Sequence, residues 1–203
     1  NPSGKLADTF AADVNDYPST ANFHGLFDYV NYTEDIYVGY RYFETFAKEK
    51  VRYPLAMVCL ILPLMYRLHL TCVLCQPDLQ RAKFLKPIPY MLLTILQTQA
   101  IAGKETVQFY VQKPQGFLGK PSRELIRFAK TELLEPGEGE SGILAIDFYS
   151  LSSYDDSGIT GHAFCYVLEE GTYTILAGTN VRNATEIGSF ALTETVALEE
   201  LSQ

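Results

Sequence analysis

Thr106-Val107-Gln108-Phe109-Tyr110-Val111-Gln112 decides the fold of this 203-residue chain. Successive side chains of a strand point to opposite faces, so Val107, Phe109 and Val111 share one face and Gln108, Tyr110 and Gln112 the other. Toward the C-terminus short apolar runs alternate with turn signals, the pattern of an all-β sandwich. Glu124 to Leu134 reads as a second strand, ended by Glu135-Pro136-Gly137-Glu138, where proline presets φ and glycine accepts φ > 0 in a type II turn. Leu144, Ile146 and Phe148 line the inner face of a third. Ala163 to Leu168 and Tyr173 to Ala177 flank Glu169-Glu170-Gly171-Thr172, which reads as a solvated turn, and a last strand runs near Ser189 to Thr193. Leu168-x-x-Gly171-Thr172-Tyr173 has the form of a tyrosine corner, in which a tyrosine entering the penultimate strand bonds back to the connection before it. This gives about six strands over residues 101–203, against about seven for a complete sandwich of this kind.

Toward the N-terminus the composition breaks. Residues 55–100 hold 12 of the 25 leucines, all three methionines, three of the four cysteines and none of the 14 glycines. They carry a charge of +3, while the rest of the chain carries −11. A natural linker is polar and rich in Gly, Ser or Pro, and this segment is the opposite. Residues 1–54 read mostly as ordered loop. From Thr33 the spacing of Ile36, Gly39, Tyr40, Phe43 and Ala47 predicts a helix, with Glu44 and Lys48 placed to pair at i, i+4, while alternation of Ile36, Val38, Tyr40 and Tyr42 fits a strand nearly as well.

The net charge of −8 argues against nucleic acid and anionic membrane surfaces, both of which attract basic patches. The apolar run Leu55 to Tyr66 is too short to span a bilayer and is interrupted by Pro63. His69-x-x-Cys72-x-x-Cys75 has the form of part of a zinc site, but a structural site needs four ligands and no second Cys or His cluster follows. Cys165 falls on a strand and reads as a buried thiol. Asp155-Asp156 read as a turn before Gly158, and Glu34 as a structural carboxylate. Asn31-Tyr32-Thr33 and Asn183-Ala184-Thr185 match the glycosylation pattern.

Asn1-Pro2-Ser3-Gly4-Lys5-Leu6, Asp16-Tyr17-Pro18-Ser19, Asn22-Phe23-His24-Gly25 and Tyr32-Thr33-Glu34-Asp35-Ile36-Tyr37-Val38-Gly39-Tyr40-Arg41-Tyr42 resemble, in order, the end of the second domain of glycoside hydrolase family 3, the β-glucosidase family. The family usually has glycine where Asp35 stands. Ala102-Gly103-Lys104-Glu105-Thr106-Val107, Gly119-Lys120-Pro121-Ser122-Arg123-Glu124-Leu125, Ser153-Tyr154-Asp155-Asp156 and Gly178-Thr179-Asn180-Val181-Arg182 resemble that family's fibronectin type III-like domain. The resemblance implies three segments. Residues 1–54 are the loop-rich tail of the family's α/β sandwich domain. Residues 55–100 are anomalous, and residues 101–203 are a mainly β, immunoglobulin-like sandwich without its first strands. That loss implies unpaired strand edges and uncovered apolar side chains at Val107, Phe109, Leu144 and Ile146, or else collapse of the Leu-rich segment over the gap as helix or irregular chain.

In the family Tyr53-Pro54 continues as Phe-Gly-Tyr-Gly-Leu-Ser-Tyr-Thr. One permitted coding of Leu55 to Met65 yields Phe-Gly-Tyr-Gly-Leu-Ser-Tyr-Thr-Ser-Phe-Asp when a single T is inserted after its first two bases. One permitted coding of Gln97-Thr98-Gln99-Ala100, read one base earlier, gives Thr-Asn-Thr-Gly, the usual lead-in to Ala102-Gly103-Lys104-Glu105. The expectation is a pair of compensating frameshifts, near codons 55 and 100.

Retaining glycosidases work with two carboxyl groups roughly 5 to 5.5 Å apart. The family's nucleophile lies in a Ser-Asp-Trp motif and its sugar-binding pair is Lys-His, and this chain has no tryptophan and no Lys-His. The resemblance therefore implies no catalytic, cofactor-binding or metal residue in this chain, and no cofactor in the parent. The chain is expected to be a non-catalytic fragment whose partner is the rest of the parent hydrolase. The alternative is a free-standing β-sandwich binding module.

Overall fold

The computed structural model describes residues 4–23, 25, 28–57, 66–71, 90–97 and 102–201. It is mainly antiparallel strand, as the alternation around Phe109 predicts. Strands β1 (Phe10–Ala11) and β2 (Val51–Tyr53) form a small ribbon beside one short helix, α1 (Tyr40–Phe46). Next come β3 (Tyr66–Thr71), β4 (Tyr90–Gln97), β5 (Thr106–Gln112), β6 (Glu124–Lys130) and β7 (Gly139–Ala145). The chain ends with β8 (Ser153–Asp155), β9 (Cys165–Leu168), β10 (Gly171–Gly178), β11 (Thr185–Leu192) and β12 (Val196–Glu200). They assemble into sheets ordered β11-β10-β5-β6, β12-β9-β8 and β3-β4-β7.

The main core is the inner face of the four-stranded sheet. Val107, Phe109 and Val111 of β5 and Tyr173, Ile175 and Ala177 of β10 pack with Leu134, Ile146, Leu151 and Leu168. Removing a side chain such as Phe109 from water contributes roughly 1.5–3 kcal/mol. The outer face is buried as well: Tyr110 and Leu176 pack with Leu55, Ala56, Val181 and Ala184, and Tyr40 of α1 and Leu125 pack against that group. Period-2 alternation separates the two faces of β5 but does not say what covers the second. Here the N-terminal segment does.

The turn chemistry follows the sequence. Gly137 has φ 83 and the Glu138 amide donates to the Glu135 carbonyl at 2.9 Å. The Tyr173 hydroxyl donates to the Glu169 carbonyl at 3.0 Å, closing the tyrosine corner. Cys165 is buried, and burial pushes its thiol pKa up.

Several expectations are corrected. The helix predicted from Thr33 covers only Tyr40–Phe46, because Asp35 (φ 49) and Gly39 (φ 57) both adopt left-handed backbone that interrupts an α-helix. Glu44 is buried and pairs with Arg182 rather than with Lys48. The second strand stops at Lys130, and Phe148 lies in a 3-10 turn beyond β7. Residues 102–201 hold eight strands, not six. The additional ones are the three-residue β8 and the C-terminal β12, which pairs with β9. The sandwich also does not begin without strands before residue 101. β3 and β4 pair with each other, and β4 pairs with β7 from Tyr90↔Ala145 to Leu96↔Gly139. Backbone groups need only extended geometry to pair, so this edge is closed where an open one was expected.

Candidate functional site

A cleft of about 350 Å³ opens where the N-terminal segment meets the sandwich. Asp35, Ile36 and Arg41 supply one side. Lys113 and Glu124 supply another, and Tyr154 and Asp156 close it. Asp35 stands in a turn whose φ of 49 suits glycine, or, among other residues, aspartate and asparagine. The resemblance to a family that carries glycine there finds its physical reason in that angle.

The charged groups of the cleft are tied down. The Lys113 ammonium donates to the Ser152 carbonyl at 2.7 Å and pairs with Glu124 at 3.2 Å, and Arg41 approaches Glu124 at 3.9 Å. Burial lowers the Lys113 pKa, while Glu124 opposes the shift. Glu124 is thus engaged by two cations at once, which suits anchoring of the two segments. At the rim Lys120 and Glu169 form a fully buried ion pair. Lys120 also donates to the Pro114 carbonyl at 2.8 Å, and Glu169 accepts from the Phe117 amide at 2.6 Å. Gly116 is required there: its φ is +47, and a Cβ would lie 2.2 Å from a Glu169 carboxylate oxygen. The sequence predicts a solvated turn here, yet of the two glutamates only Glu170 is exposed, because the lysine that neutralises Glu169 lies 49 residues away in sequence.

Asp155 is also fully buried. Its carboxylate accepts from the amides of Ser157, Gly158, Ile159 and Thr160 and from the Thr160 hydroxyl at 2.6 Å. Burial alone would raise its pKa, but these hydrogen bonds outweigh it and hold the carboxyl well below the usual range. The turn before Gly158 is therefore built on Asp155, while Asp156 faces the cleft. Glu34 accepts from the Ser19 hydroxyl at 3.2 Å, a structural contact as read.

Of the His69, Cys72 and Cys75 trio, His69 lies on β3 opposite Thr94 and the two cysteines fall outside the described residues. Among the described residues no three His, Cys, Asp or Glu side chains are grouped to hold a metal. No helix among them is long and apolar enough to cross a membrane. Asn31 is exposed, whereas the Asn183 amide is engaged: its Nδ2 donates to Thr179 Oγ1 at 2.6 Å and its Oδ1 accepts from the Thr179 and Asn180 amides.

Residues 105–181 match the family described as Fn3-like, fibronectin type III-like domain. A β-glucosidase of Ruminococcus albus is 42% identical over 205 residues, covering 100% of this chain and 20% of that protein. β-Glucosidase A of Butyrivibrio fibrisolvens is 42% identical over 219 residues, covering 100% of this chain and 25% of its own. The structure of a β-glucosidase from Paenibacillus barengoltzii superposes with a TM-score of 0.85 at 39% identity, over 98% of this chain and 21% of that one. The chain thus spans about a fifth to a quarter of the length of these relatives. Residues 105–181 are a fibronectin type III-like domain, and the chain as a whole is homologous to the C-terminal part of the β-glucosidases of glycoside hydrolase family 3.

Proposed function

We propose that this chain is a non-catalytic fragment of a β-glucosidase-like hydrolase, in which the sandwich acts as structural support for a catalytic domain that is not in this sequence. The parent would hydrolyse terminal β-glycosidic bonds with retention, through carboxylates supplied by that domain. The observation that carries the reading is the way the N-terminal segment is fastened to the sandwich. Lys5 pairs with Glu105 at 2.6 Å and Arg182 with Glu44. The Leu125 amide donates to the Tyr40 hydroxyl at 2.7 Å, and Ser122 donates to the Glu44 carbonyl at 2.8 Å. A support domain transmits position through such buried, directional contacts. In this reading residues 1–54 are the tail of the α/β domain and 101–203 the sandwich.

Residues 55–100 belong to the same proposal as an out-of-frame stretch between compensating frameshifts. A pair of compensating shifts keeps both flanks in frame, as the matches on either side of the stretch require. The backbone adds a second support: Ala56 has φ 61, a left-handed conformation that costs an L-residue roughly 1–2 kcal/mol. The restored frame places glycine at that position. Resequencing the gene across codons 55–100 tests this reading, with a one-base insertion and a compensating change expected. An uninterrupted, well-covered frame overturns it. The chain itself is expected to release no glucose from aryl β-glucosides. Turnover that co-purifies with it through several columns would refute the non-catalytic assignment.

A further inference from the structure

Tyr154 on β8 and Tyr166 on β9 are directly opposed in the ladder, with ring centroids 5.2 Å apart. Tyr149, from the 3-10 turn Phe148–Leu151, lies 4.6 Å from Tyr166. Asp155, Cys165 and Val167, which alternate with them, are buried, so these tyrosines occupy the outer face. Tyr149 is 44% exposed and Tyr154 40%, with Tyr166 half-buried between them. Three contiguous aromatic rings on one outer face form a patch, unlike scattered apolar residues that need no account.

Tyr154 also forms one wall of the cleft described above. That cleft presents carboxylates at Asp35, Glu124 and Asp156 and cations at Arg41, Lys113 and Lys120, so neither sign dominates. An aromatic row running into a charge-balanced cleft suits a neutral ligand with one apolar face and many hydroxyls. We infer that Tyr149, Tyr166, Tyr154 and the adjoining cleft form a binding surface for a soluble β-linked oligosaccharide. Sugar C–H faces lie against the electron-rich ring faces, the exposed carboxylates of Asp35 and Asp156 accept from sugar hydroxyls, and the partly exposed Arg41 guanidinium donates to them. Neighbouring rings are tilted by 46° and 51°, which follows a twisted soluble chain rather than the flat face of a crystalline one. The choice of β-linkage rests on the hydrolase reading. The surface itself does not.

The test is titration calorimetry of the full 203-residue chain with cellohexaose and, separately, maltohexaose, with thermal melts of every variant. Saturable cellohexaose binding is expected, weakened about tenfold by Tyr154→Ala or Tyr166→Ala, the upper end of one aromatic contact. Tyr154→Phe, which keeps the ring, should stay within about threefold. Should an alanine variant fail to fold, saturation transfer from tyrosine ring protons to the sugar in the unmodified chain decides instead. Transfer is expected, and its absence overturns the surface. Absence of saturable binding to either sugar, or binding indifferent to both alanine variants, also overturns it. Binding of maltohexaose alone overturns the β-linkage and leaves the tyrosine surface standing.

Discussion

Strands β5 and β4 are each the middle of an antiparallel ladder, β5 between β10 and β6 and β4 between β3 and β7. They reach that position by different routes. In β5 five consecutive residues, Val107 to Val111, are buried, and each face has its own partners: the sandwich core on one side and the N-terminal segment on the other. In β4 the sequence Tyr90-Met91-Leu92-Leu93-Thr94-Ile95-Leu96-Gln97 has no period of two, so nothing in it distinguishes the two faces. A ladder asks only for extended backbone and free N–H and C=O groups. A fitted interior asks for particular side chains. Pairing alone therefore does not mark a stretch of chain as an evolved part of its fold.

The largest expected effect lies in the fitted half. Lys120→Met leaves Glu169 charged, buried and unpaired, and should cost roughly 3–5 kcal/mol in urea unfolding. Lys104→Met, which breaks the exposed pair with Glu132, should cost no more than about 1 kcal/mol. Equal losses would remove the distinction between fitted interior and surface.

Hydrogen exchange sets the two strands against each other directly. Amides of β5 should exchange only through global unfolding, while those of Leu92 to Ile95 should exchange about a hundredfold faster or more, as in locally opening segments. Equal protection would break the comparison and count against the frameshift reading.

Acid sharpens the same contrast. The Asp155 carboxyl is held below its ordinary pKa by hydrogen bonds within the sandwich. Its stabilisation is fully present above the ordinary carboxylate value near 4 and is lost as pH falls through it toward the folded value. Asp155→Asn should lower stability at pH 7 by about 2 kcal/mol and flatten the loss between pH 5 and 2, followed by urea titrations at each pH. An unchanged acid limb would show that other carboxylates control it.

The smallest expected effect sits at the junction of the two regions. Ala56→Gly relieves left-handed strain at φ 61 and should raise stability by about 1 kcal/mol. Destabilisation by that change would remove the physical support for glycine at position 56.

Some of this was legible in the sequence because its causes are local. Alternation placed Val107, Phe109 and Val111 on one face. Pro136-Gly137 set a turn, Tyr173 set a corner, and the break in composition isolated residues 55–100. The helix over Thr33 to Ala47 is shorter than its spacing predicts because spacing alone does not register the left-handed angles at Asp35 and Gly39. Tertiary structure alone decided the rest, because each case depends on groups distant in sequence. Glu169 became a buried ion rather than a solvated turn because Lys120 comes to it, and Glu44 left its helical neighbour for Arg182. Tyr149, Tyr154 and Tyr166 became one surface only when β8 and β9 paired. The break at Leu55 was visible in composition, but that residues 66–71 and 90–97 pair as strands was not, since backbone hydrogen bonding is common to every sequence and leaves no mark in any one of them.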